Sequence, residues 1–411
     1  MFVVNIRLLS PLTTRLSILY LDVRTSSDAS KGSKLPAKVF IYGGSNTDGG
    51  INDSLYSGCT SADDGAILVS INYRIGPLGF MALNSADIYG NQGIKDILHV
   101  LECVQKSISA LVVIQKKSFR TVCWCYRHPT LLQSSRLFKS ALAESIALPS
   151  LESSSSLQQT GASYARTLKC SVDDKSCLQS KTVAELKSAY DNDKFINTGI
   201  GSASNLGVPS TFSHKFSPYV DRDVITENHQ REGMDALSKY NSIKKIASAA
   251  PAYPLSLFNS SESPVVAAIS TVITDAEFRC PGYHMAVLDR RKNMPAWMYE
   301  FIQNSTCVWL STIEQEFASA YGASHTAELP YVCGNLHFDF TCRNTTCTGT
   351  SAEYDLSKQM RSLWTAVAEI GKPSTDDITW PEFQLSTDGS ESPSMIFGNS
   401  SVPGSLDFSV F

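Results

Sequence analysis

Short runs of β-branched and apolar residues alternate in this chain with longer amphipathic segments. Residues 38–42 (KVFIY) and 66–72 (AILVSIN) have the composition of buried strands and stop at Gly or Asn. Apolar side chains then recur at the helical period over residues 91–108, and again over residues 355–370. Further strands are predicted at residues 19–23, 137–143 and 297–301. The alternation predicts an α/β fold, a mostly parallel central sheet with helices on both faces.

Three segments rich in small and polar residues are predicted to be loops. Residues 150–156 are mostly serine, and residues 199–214 and 374–403 are rich in Gly, Ser, Pro and Asp. We interpret the last two as surface excursions of one domain, because nothing in their composition demands a boundary between domains.

The strand at residues 38–42 runs directly into Gly43-Gly44-Ser45. Glycine allows dihedral angles and close backbone approaches that other residues disfavour, so the simplest interpretation is a tight turn. A chemical interpretation is also open. Backbone N–H groups aimed at the oxygen that becomes negative during ester hydrolysis lower the barrier by roughly 3–4 kcal/mol per donor. With only the two adjacent glycines as evidence, a tight turn is the better of the two interpretations.

Two later motifs favour the chemical interpretation. Residues 72–80 read NYRIGPLGF, and residues 91–105 read NQGIKDILHVLECVQ. Here the chain resembles the type-B carboxylesterases, a family of serine esterases and lipases that includes the cholinesterases. The resemblance implies an α/β-hydrolase fold, hydrolysis of carboxylic esters without a cofactor, and an oxyanion hole that contains Gly44 and Ser45. Ser45 stands where the family has a third glycine, and Cys103 stands where it usually has Trp.

The resemblance continues towards the carboxyl end. Residues 275–281 (DAEFRCP) and 356–373 (LSKQMRSLWTAVAEIGKP) match family runs, and residues 322–332 (GASHTAELPYV) match the run that carries the family's histidine. The resemblance therefore implies that His325 is the general base, which takes the proton of the nucleophile and returns it to the leaving group.

The family's nucleophilic serine is missing from this sequence. The family places it in G-x-S-x-G, on a sharp turn between a strand and a helix, and no such motif occurs in the chain. It is expected near Val122 and Cys123, but residues 111–129 (LVVIQKKSFRTVCWCYRHP) contain no glycine. Cys123 is a weak substitute, because a glycine-free segment disfavours the strained turn. The fold is therefore predicted to be locally disrupted at the turn where the serine is expected.

A coding-level hypothesis explains this segment. Back-translated and read one base later, residues 118–127 can encode V-F-G-Q-S-A-G-A-T, which contains the family's serine motif. Residues 111–115, read one base earlier, can encode F-G-G-D-P, another family run. Because the two segments need different shifts of the reading frame, the hypothesis requires two frameshift lesions or a misplaced splice junction. Residues 111–129 are thus either real or an artefact of the reading frame.

The acidic member of the triad and the amino terminus also depart from the family. The acidic motif is largely deleted, and Glu232, beside Gly233, is the nearest remaining candidate, although a solvated surface glutamate is the more ordinary interpretation. Residues 1–18 lack the family's cysteine-containing run and are predicted to be an aberrant or truncated amino terminus. Residues 19–411 are predicted to form a single carboxylesterase-type domain.

Cysteine spacing and glycosylation sequons indicate the compartment. Among eleven cysteines, Cys170 lies close to Cys177, and Cys342 lies close to Cys347. Neither pair has the spacing of a metal site, so two short disulfide loops are predicted and no metal. Sequons occur at Asn52, Asn259, Asn304, Asn344 and Asn399. Together these features predict a secreted glycoprotein, although residues 1–14 lack the apolar core and cleavage site of a signal peptide.

Charge and hydropathy restrict the classes of partner. The formal net charge is −4, without a basic block, which argues against nucleic acid. No apolar run is long enough to span a bilayer. The predicted partner is a small-molecule or lipid ester, and the sequence carries no signal for the oligomeric state.

Three functional hypotheses follow. The first is a carboxylic ester hydrolase that is catalytically impaired because the serine is absent. The second is a non-catalytic relative that binds other molecules or acts in adhesion. The third is a translated pseudogene or an error in the gene model, which would lack a central strand and its packing.

Overall fold

The structure is a computed structural model. It describes residues 2–7, 19–29, 33, 35–56, 64–111, 121–124, 137–146, 153–191, 216–225, 253–259, 264–309, 322–340, 345–385 and 391–407. Gly199 to His214, predicted to be a loop, lie outside the described residues.

The strands are β1 Phe2–Arg7, β2 Tyr20–Thr25, β3 Ala37–Ile41, β4 Ile67–Ile71, β5 Ala82–Leu83, β6 Ile88–Tyr89, β7 Thr121–Trp124, β8 Ser140–Ala143, β9 Tyr299–Phe301, β10 His337–Phe340, β11 Thr345–Thr348, β12 Glu391–Phe397 and β13 Ser401–Asp407. The helices are α1 Gly76–Phe80, α2 Gln92–Leu111, α3 Ser154–Thr167, α4 Lys175–Ser180, α5 Val183–Tyr190, α6 Pro264–Thr274, α7 Cys280–Arg291, α8 Leu329–Cys333 and α9 Ser351–Ile370. Short 3₁₀ turns occur at Ser54–Tyr56, Asn84–Ala86 and Leu255–Phe258, and a π-helical turn occurs at Asp275–Arg279.

The central sheet has the strand order β1-β2-β4-β3-β7-β8. Strands β4, β3, β7 and β8 are parallel, whereas β1 and β2 are antiparallel additions at one edge. Every residue of β3 and β4 is buried. Strands of this kind need cover on both faces of the sheet, as helices provide in α/β proteins. The predicted α/β fold, with a mostly parallel sheet, is confirmed.

Strand β7 corrects one prediction. The third hypothesis expected the chain to lack a central strand, but Thr121–Trp124 pairs in parallel with both β3 and β8. Thr and Val are β-branched and Trp is aromatic, and residues of these kinds favour strands without any glycine. The centre of the sheet is therefore continuous at the place where disruption was predicted.

The two predicted amphipathic helices are present as α2 and α9. Helix α9 begins at Ser351, four residues before the predicted start, because Thr350 and Glu353 form a capping box. It ends at Ile370, where Gly371 takes a left-handed φ of 83°. Helix α9 contacts β3 and β8, and its buried side chains include Met360 and Trp364.

Strand β9 belongs to a separate three-stranded sheet of order β13-β12-β9, in which β9 and β12 are parallel. Strand β12 corrects the prediction that residues 374–403 are a surface excursion, since Met395 and Phe397 are fully buried. The serine-rich segment is also only partly a loop. Ser153 caps α3 by accepting a hydrogen bond from the Ser156 N–H, and the helix then begins at Ser154.

One hydrophobic core extends over most of the described chain. It contains residues from β2, β3 and β4, from α2 and α9, and from β12, and it runs in sequence from Leu19 to Phe397. Among the helices of the described residues, none combines the length and the apolar character that crossing a membrane requires.

Candidate active site

The predicted oxyanion loop is a tight turn at the carboxyl end of β3. Gly44 has φ 124°, and Ser45 and Asn46 follow with φ 54° and 65°. The Gly44 carbonyl accepts hydrogen bonds from the N–H groups of Thr47 and Asp48, at 2.9 and 3.0 Å. A Cβ at Gly44 would lie 2.2 Å from the Asp48 carbonyl oxygen, so only glycine fits there. Ser45, in place of the family's third glycine, does reach the left-handed region.

The turn contains the backbone N–H groups of Gly44 and Ser45. Neither donates a hydrogen bond to another of the described residues. Adjacent N–H groups in a turn that passes through left-handed dihedrals form an anion-binding concavity. The turn can therefore bind an oxyanion.

Aromatic and ionic contacts hold this turn in place. The Tyr42 hydroxyl donates to the Tyr73 carbonyl at 3.2 Å, and the Tyr73 hydroxyl donates to the Tyr42 carbonyl at 2.9 Å. Burial raises the pKa of Tyr42 to about 12, so this donor stays protonated. Arg74, which follows Tyr73, makes a bidentate ion pair with buried Asp96 of α2, and both N–O distances are 2.7 Å. The family motif of residues 72–80 thus supports the Gly44 turn.

Strands β7 and β8 end at the same edge of the sheet as β3. Ile41 of β3 is in register with Trp124, and Trp124 is in register with Ala143. In open parallel sheets ligands bind outside the carboxyl ends of the strands. Val122 and Cys123 lie within β7, before its end, so both are strand positions and not a turn at the end of a strand. Glu232, the weak candidate for the triad acid, lies outside the described residues.

His325 lies in the turn that precedes α8. The next residue, Thr326, has φ 72°, which is unusual for a β-branched residue, and strain of this kind concentrates at functional sites. The His325 side chain is exposed, yet desolvation by the surrounding protein lowers its pKa from 6.5. Because desolvation disfavours the charged imidazolium, the ring is neutral near pH 7.

A partly buried hydrogen bond connects the His325 turn to the sheet edge. Ser145, two residues beyond β8, donates from Oγ to the Glu328 Oε1 at 2.9 Å. Glu328 is three residues after His325 and begins α8. Beside Ser145, buried Glu144 accepts a hydrogen bond from the Trp364 Nε1 at 2.7 Å. The structure therefore brings the His325 turn to the carboxyl edge of the sheet, where the Gly44 turn also lies.

Glu328 is a buried carboxyl group whose proton is held tightly. Desolvation, with a smaller contribution from the neighbouring charge of Glu144, raises its pKa from 4.5 to about 7. Because the folded protein binds this proton more strongly than the unfolded chain does, the group favours folding at low pH. That advantage is lost as the pH rises from 4.5 through about 7.

We expect Glu328→Gln to remove this dependence on pH. Between pH 4.5 and pH 8, the wild type should lose about 3 kcal/mol of unfolding free energy relative to the variant. Urea denaturation of both proteins at the two pH values measures the difference. Asp355→Asn, an exposed position on α9, is the matched control and should follow the wild type. Parallel curves for wild type and Glu328→Gln would contradict the raised pKa.

The disulfides agree with one predicted loop and correct the other. Cys170 and Cys177 are bonded, as predicted. Cys347 is bonded to Cys307 and not to Cys342, which lies outside the described residues. Cys307, forty residues earlier in sequence, lies with its Cα 5.8 Å from that of Cys347, well within the range for a disulfide. Cysteine spacing carries no signal for a partner forty residues away.

Sequence reasoning missed two further contributions to the candidate site. Glu144 and Ser145 could have been found only as polar residues that follow a predicted strand at the ligand-binding edge. Phe278 lies in the matched run of residues 275–281, and its ring packs on His325 with 4.8 Å between the ring centroids. The family match covers the segment that contains Phe278, but its contact with His325 is seen only in the structure.

Comparisons with known proteins identify the family of the chain. The sequence model of the carboxylesterase family matches residues 18–111 and 252–395, which is more than half of the chain. The first match contains the Gly44 turn and its support, and the second contains Phe278 and His325. The unmatched residues between them include residues 112–129 and Glu232, where the sequence departs from the family.

Individual relatives are distant in sequence. The cAMP-regulated D2 protein of Dictyostelium discoideum is 26% identical over 71% of this chain, and the chain spans 60% of that protein's length. Para-nitrobenzyl esterase of Bacillus subtilis is 27% identical over 90% of this chain and 77% of its own length.

Solved structures show the same fold. The carboxylesterase EST55 of Geobacillus stearothermophilus aligns with a TM-score of 0.70 at 20% identity, over 94% of this chain and 83% of its own. A para-nitrobenzyl esterase aligns with a TM-score of 0.71 at 23% identity, over 94% and 81%. With more than half of its residues matching the family model, and with this fold, the chain belongs to the carboxylesterase family.

Proposed function

We propose that this chain is a carboxylic ester hydrolase whose active site lies between the Gly44 turn and His325. The observation that carries the proposal is the Ser145–Glu328 hydrogen bond, which brings the His325 turn to the sheet edge where the Gly44 turn presents its N–H groups. Membership of the carboxylesterase family supports ester substrates, and one relative is named for its action on para-nitrobenzyl esters. The alcohol and acyl groups are those of a small-molecule or lipid ester.

The attacking group in this proposal is water. The sequence has no G-x-S-x-G, and Val122 and Cys123 are strand positions. His325 takes a proton from water as the water oxygen attacks the ester carbonyl carbon. The carbonyl oxygen becomes negative and accepts hydrogen bonds from the N–H groups of Gly44 and Ser45. Collapse of this intermediate breaks the bond to the alcohol oxygen, which takes the proton back from the imidazolium.

The proposed mechanism predicts ester hydrolysis that is slower than in family members with the nucleophilic serine. In serine hydrolases, loss of the nucleophile lowers kcat by about 10⁶-fold, but the oxyanion hole and substrate binding alone retain about 10³–10⁴-fold over water. General-base catalysis of water attack by His325 adds to this residual rate. We therefore expect turnover that is slow for the family and measurable above the buffer.

The time course of p-nitrophenyl acetate hydrolysis tests the proposal. Release of p-nitrophenol should be faster than in buffer and linear from the first turnover, because water attack forms no acyl-enzyme. The mass of the protein should stay unchanged after incubation with a fluorophosphonate, which labels active serines. An initial burst of one equivalent, or covalent labelling, would show a protein nucleophile and contradict water attack. A rate equal to that of the buffer would overturn the function.

The pH profile of this reaction should follow His325. Because desolvation lowers the pKa of His325 below 6.5, the imidazole stays neutral and able to accept a proton through pH 6.5. We expect kcat/KM to be constant around pH 8 and to fall in acid with a midpoint below pH 6.5. A midpoint above pH 6.5 would indicate another base.

We further propose that residues 19–411 form one domain of a secreted glycoprotein. Support comes from the continuous core, from the two disulfides, and from the sequons at Asn52, Asn259, Asn304 and Asn399, whose side chains are all exposed. Asn344 lies outside the described residues. Expression in a eukaryotic secretory host should give protein in the medium whose mass falls on treatment with an N-glycosidase. Retention in the cells without glycan would contradict secretion, and separation into two folded pieces by limited proteolysis would contradict the single domain.

A further inference from the structure

A π-helical turn interrupts the long helical segment that passes from α6 into α7. Across Asp275–Arg279 the backbone widens, and the Cys280 N–H donates to the carbonyl of Asp275, five residues earlier. The extra residue in the turn rotates the following side chains by about 100° relative to an uninterrupted α-helix. Turns of this kind occur frequently at functional sites. The turn sets the direction in which Phe278 projects.

Side chains from three segments hold the π-turn. The Asp275 carboxylate, nearly inaccessible to solvent, accepts a hydrogen bond from the Arg279 Nη1 at 2.7 Å and another from the Tyr253 hydroxyl at 2.9 Å. Arg279 also forms an ion pair with Glu300 of β9. Removing one partner would leave a buried charge unpaired, which is costly, so these contacts resist a change of helical register.

Phe278 lies between the anchoring residues and packs its ring on the imidazole of His325. The ring centroids are 4.8 Å apart, with an interplanar angle of 31°. In the turn that contains His325, the backbone carbonyl of Thr326 accepts a hydrogen bond from the Trp309 Nε1 at 3.1 Å. The backbone of the His325 turn is therefore held by Trp309. One face of the His325 imidazole is covered by the flat, apolar ring of Phe278.

We propose that Phe278 is a positioning residue for His325, and that the π-turn of Asp275–Arg279 is the element that aims it. The Phe278 ring fixes the plane of the imidazole and excludes water from one face, so that a ring nitrogen stays directed at the reacting proton. This inference rests on the function proposed above. Misplacing a catalytic group by about 1 Å can cost about 10²-fold in rate, so a wall of this kind has a measurable effect.

The test compares Phe278→Leu with Phe383→Leu. Phe383 is fully buried and packs edge-on against Tyr283 of α7, so its substitution removes the same ring from the same region without touching His325. Phe278→Tyr keeps the ring and is the conservative variant. Two quantities are measured for each protein: kcat and KM for p-nitrophenyl acetate, and the pKa of His325 by NMR titration of its ring protons.

In Phe278→Leu, kcat should fall about tenfold with KM changed less than twofold, and the pKa of His325 should rise towards 6.5 as water reaches the ring. Phe278→Tyr should restore both values, and Phe383→Leu should leave both unchanged even if it lowers the melting temperature. An unchanged His325 pKa in Phe278→Leu, or an equal change in Phe383→Leu, would overturn the inference. If the wild type hydrolyses no ester, the proposed function fails, and the NMR titration still decides the role of Phe278.

Discussion

Replacing His325 with Ala should lower kcat for p-nitrophenyl acetate by about 10²–10⁴-fold, the range over which positioned proton transfer accelerates reactions. The imidazole is neutral near pH 7, because desolvation lowers its pKa, and its turn lies at the sheet edge. The variant keeps the backbone contacts of the turn, so KM and the melting temperature should change little. Steady-state kinetics at pH 7.5 and thermal denaturation measure the three quantities.

His99→Ala is the matched control for this experiment. His99 is exposed on α2, and the substitution removes an imidazole of the same kind from outside the proposed site. Its kcat should equal that of the wild type. Equal rates for wild type and His325→Ala would place the base elsewhere, and a similar loss in both variants would indicate a general effect on folding.

Replacing Gly44 with Ala should lower kcat by about 10²–10³-fold, the cost of losing one donor of an oxyanion hole. Gly44 has φ 124°, and the added Cβ would lie 2.2 Å from the Asp48 carbonyl oxygen and 2.7 Å from its carbon. Both atoms belong to the backbone, so the turn itself has to move and its N–H groups lose their common direction. The reaction of p-nitrophenyl acetate measures the loss, which should appear in kcat more than in KM.

Gly65→Ala separates this effect from ordinary backbone strain. Gly65 also has a positive φ, 72°, but nothing lies within 4 Å of an added Cβ, and it stands before the amino end of β4. The substitution should cost about 1–2 kcal/mol of unfolding free energy, since a side chain in the left-handed region is strained, and should leave kcat unchanged. A Gly44→Ala variant as active as Gly65→Ala would contradict the oxyanion turn.

The sequence predicted the elements whose signal is local. Strands β3 and β4 and helices α2 and α9 were expected from composition and period, and all are present within a few residues of the expected bounds. The start of α9 was misjudged because a capping box, and not the apolar period, sets it. Strand β7 was missed because residues 111–129 were judged by their lack of glycine and not by their strand propensity.

Features that depend on distant contacts were out of reach of the sequence. The Cys307–Cys347 disulfide joins residues that no spacing rule connects. The raised pKa of Glu328 arises from burial beside Glu144, which is 184 positions earlier in the numbering and adjacent only in the fold. Motifs assigned roles to His325 and Gly44, but the contacts of Ser145 and Phe278 with the His325 segment required the structure.

The central claim is that the Gly44 turn and His325 form one site. NMR titration with ethyl methylphosphonate, a tetrahedral anion that resembles the reaction intermediate, tests it directly. The amide signal of Gly44 and the ring signals of His325 should shift together, with a single dissociation constant. A response of only one group, or two different dissociation constants, would show that the two groups do not share a site and would contradict the account.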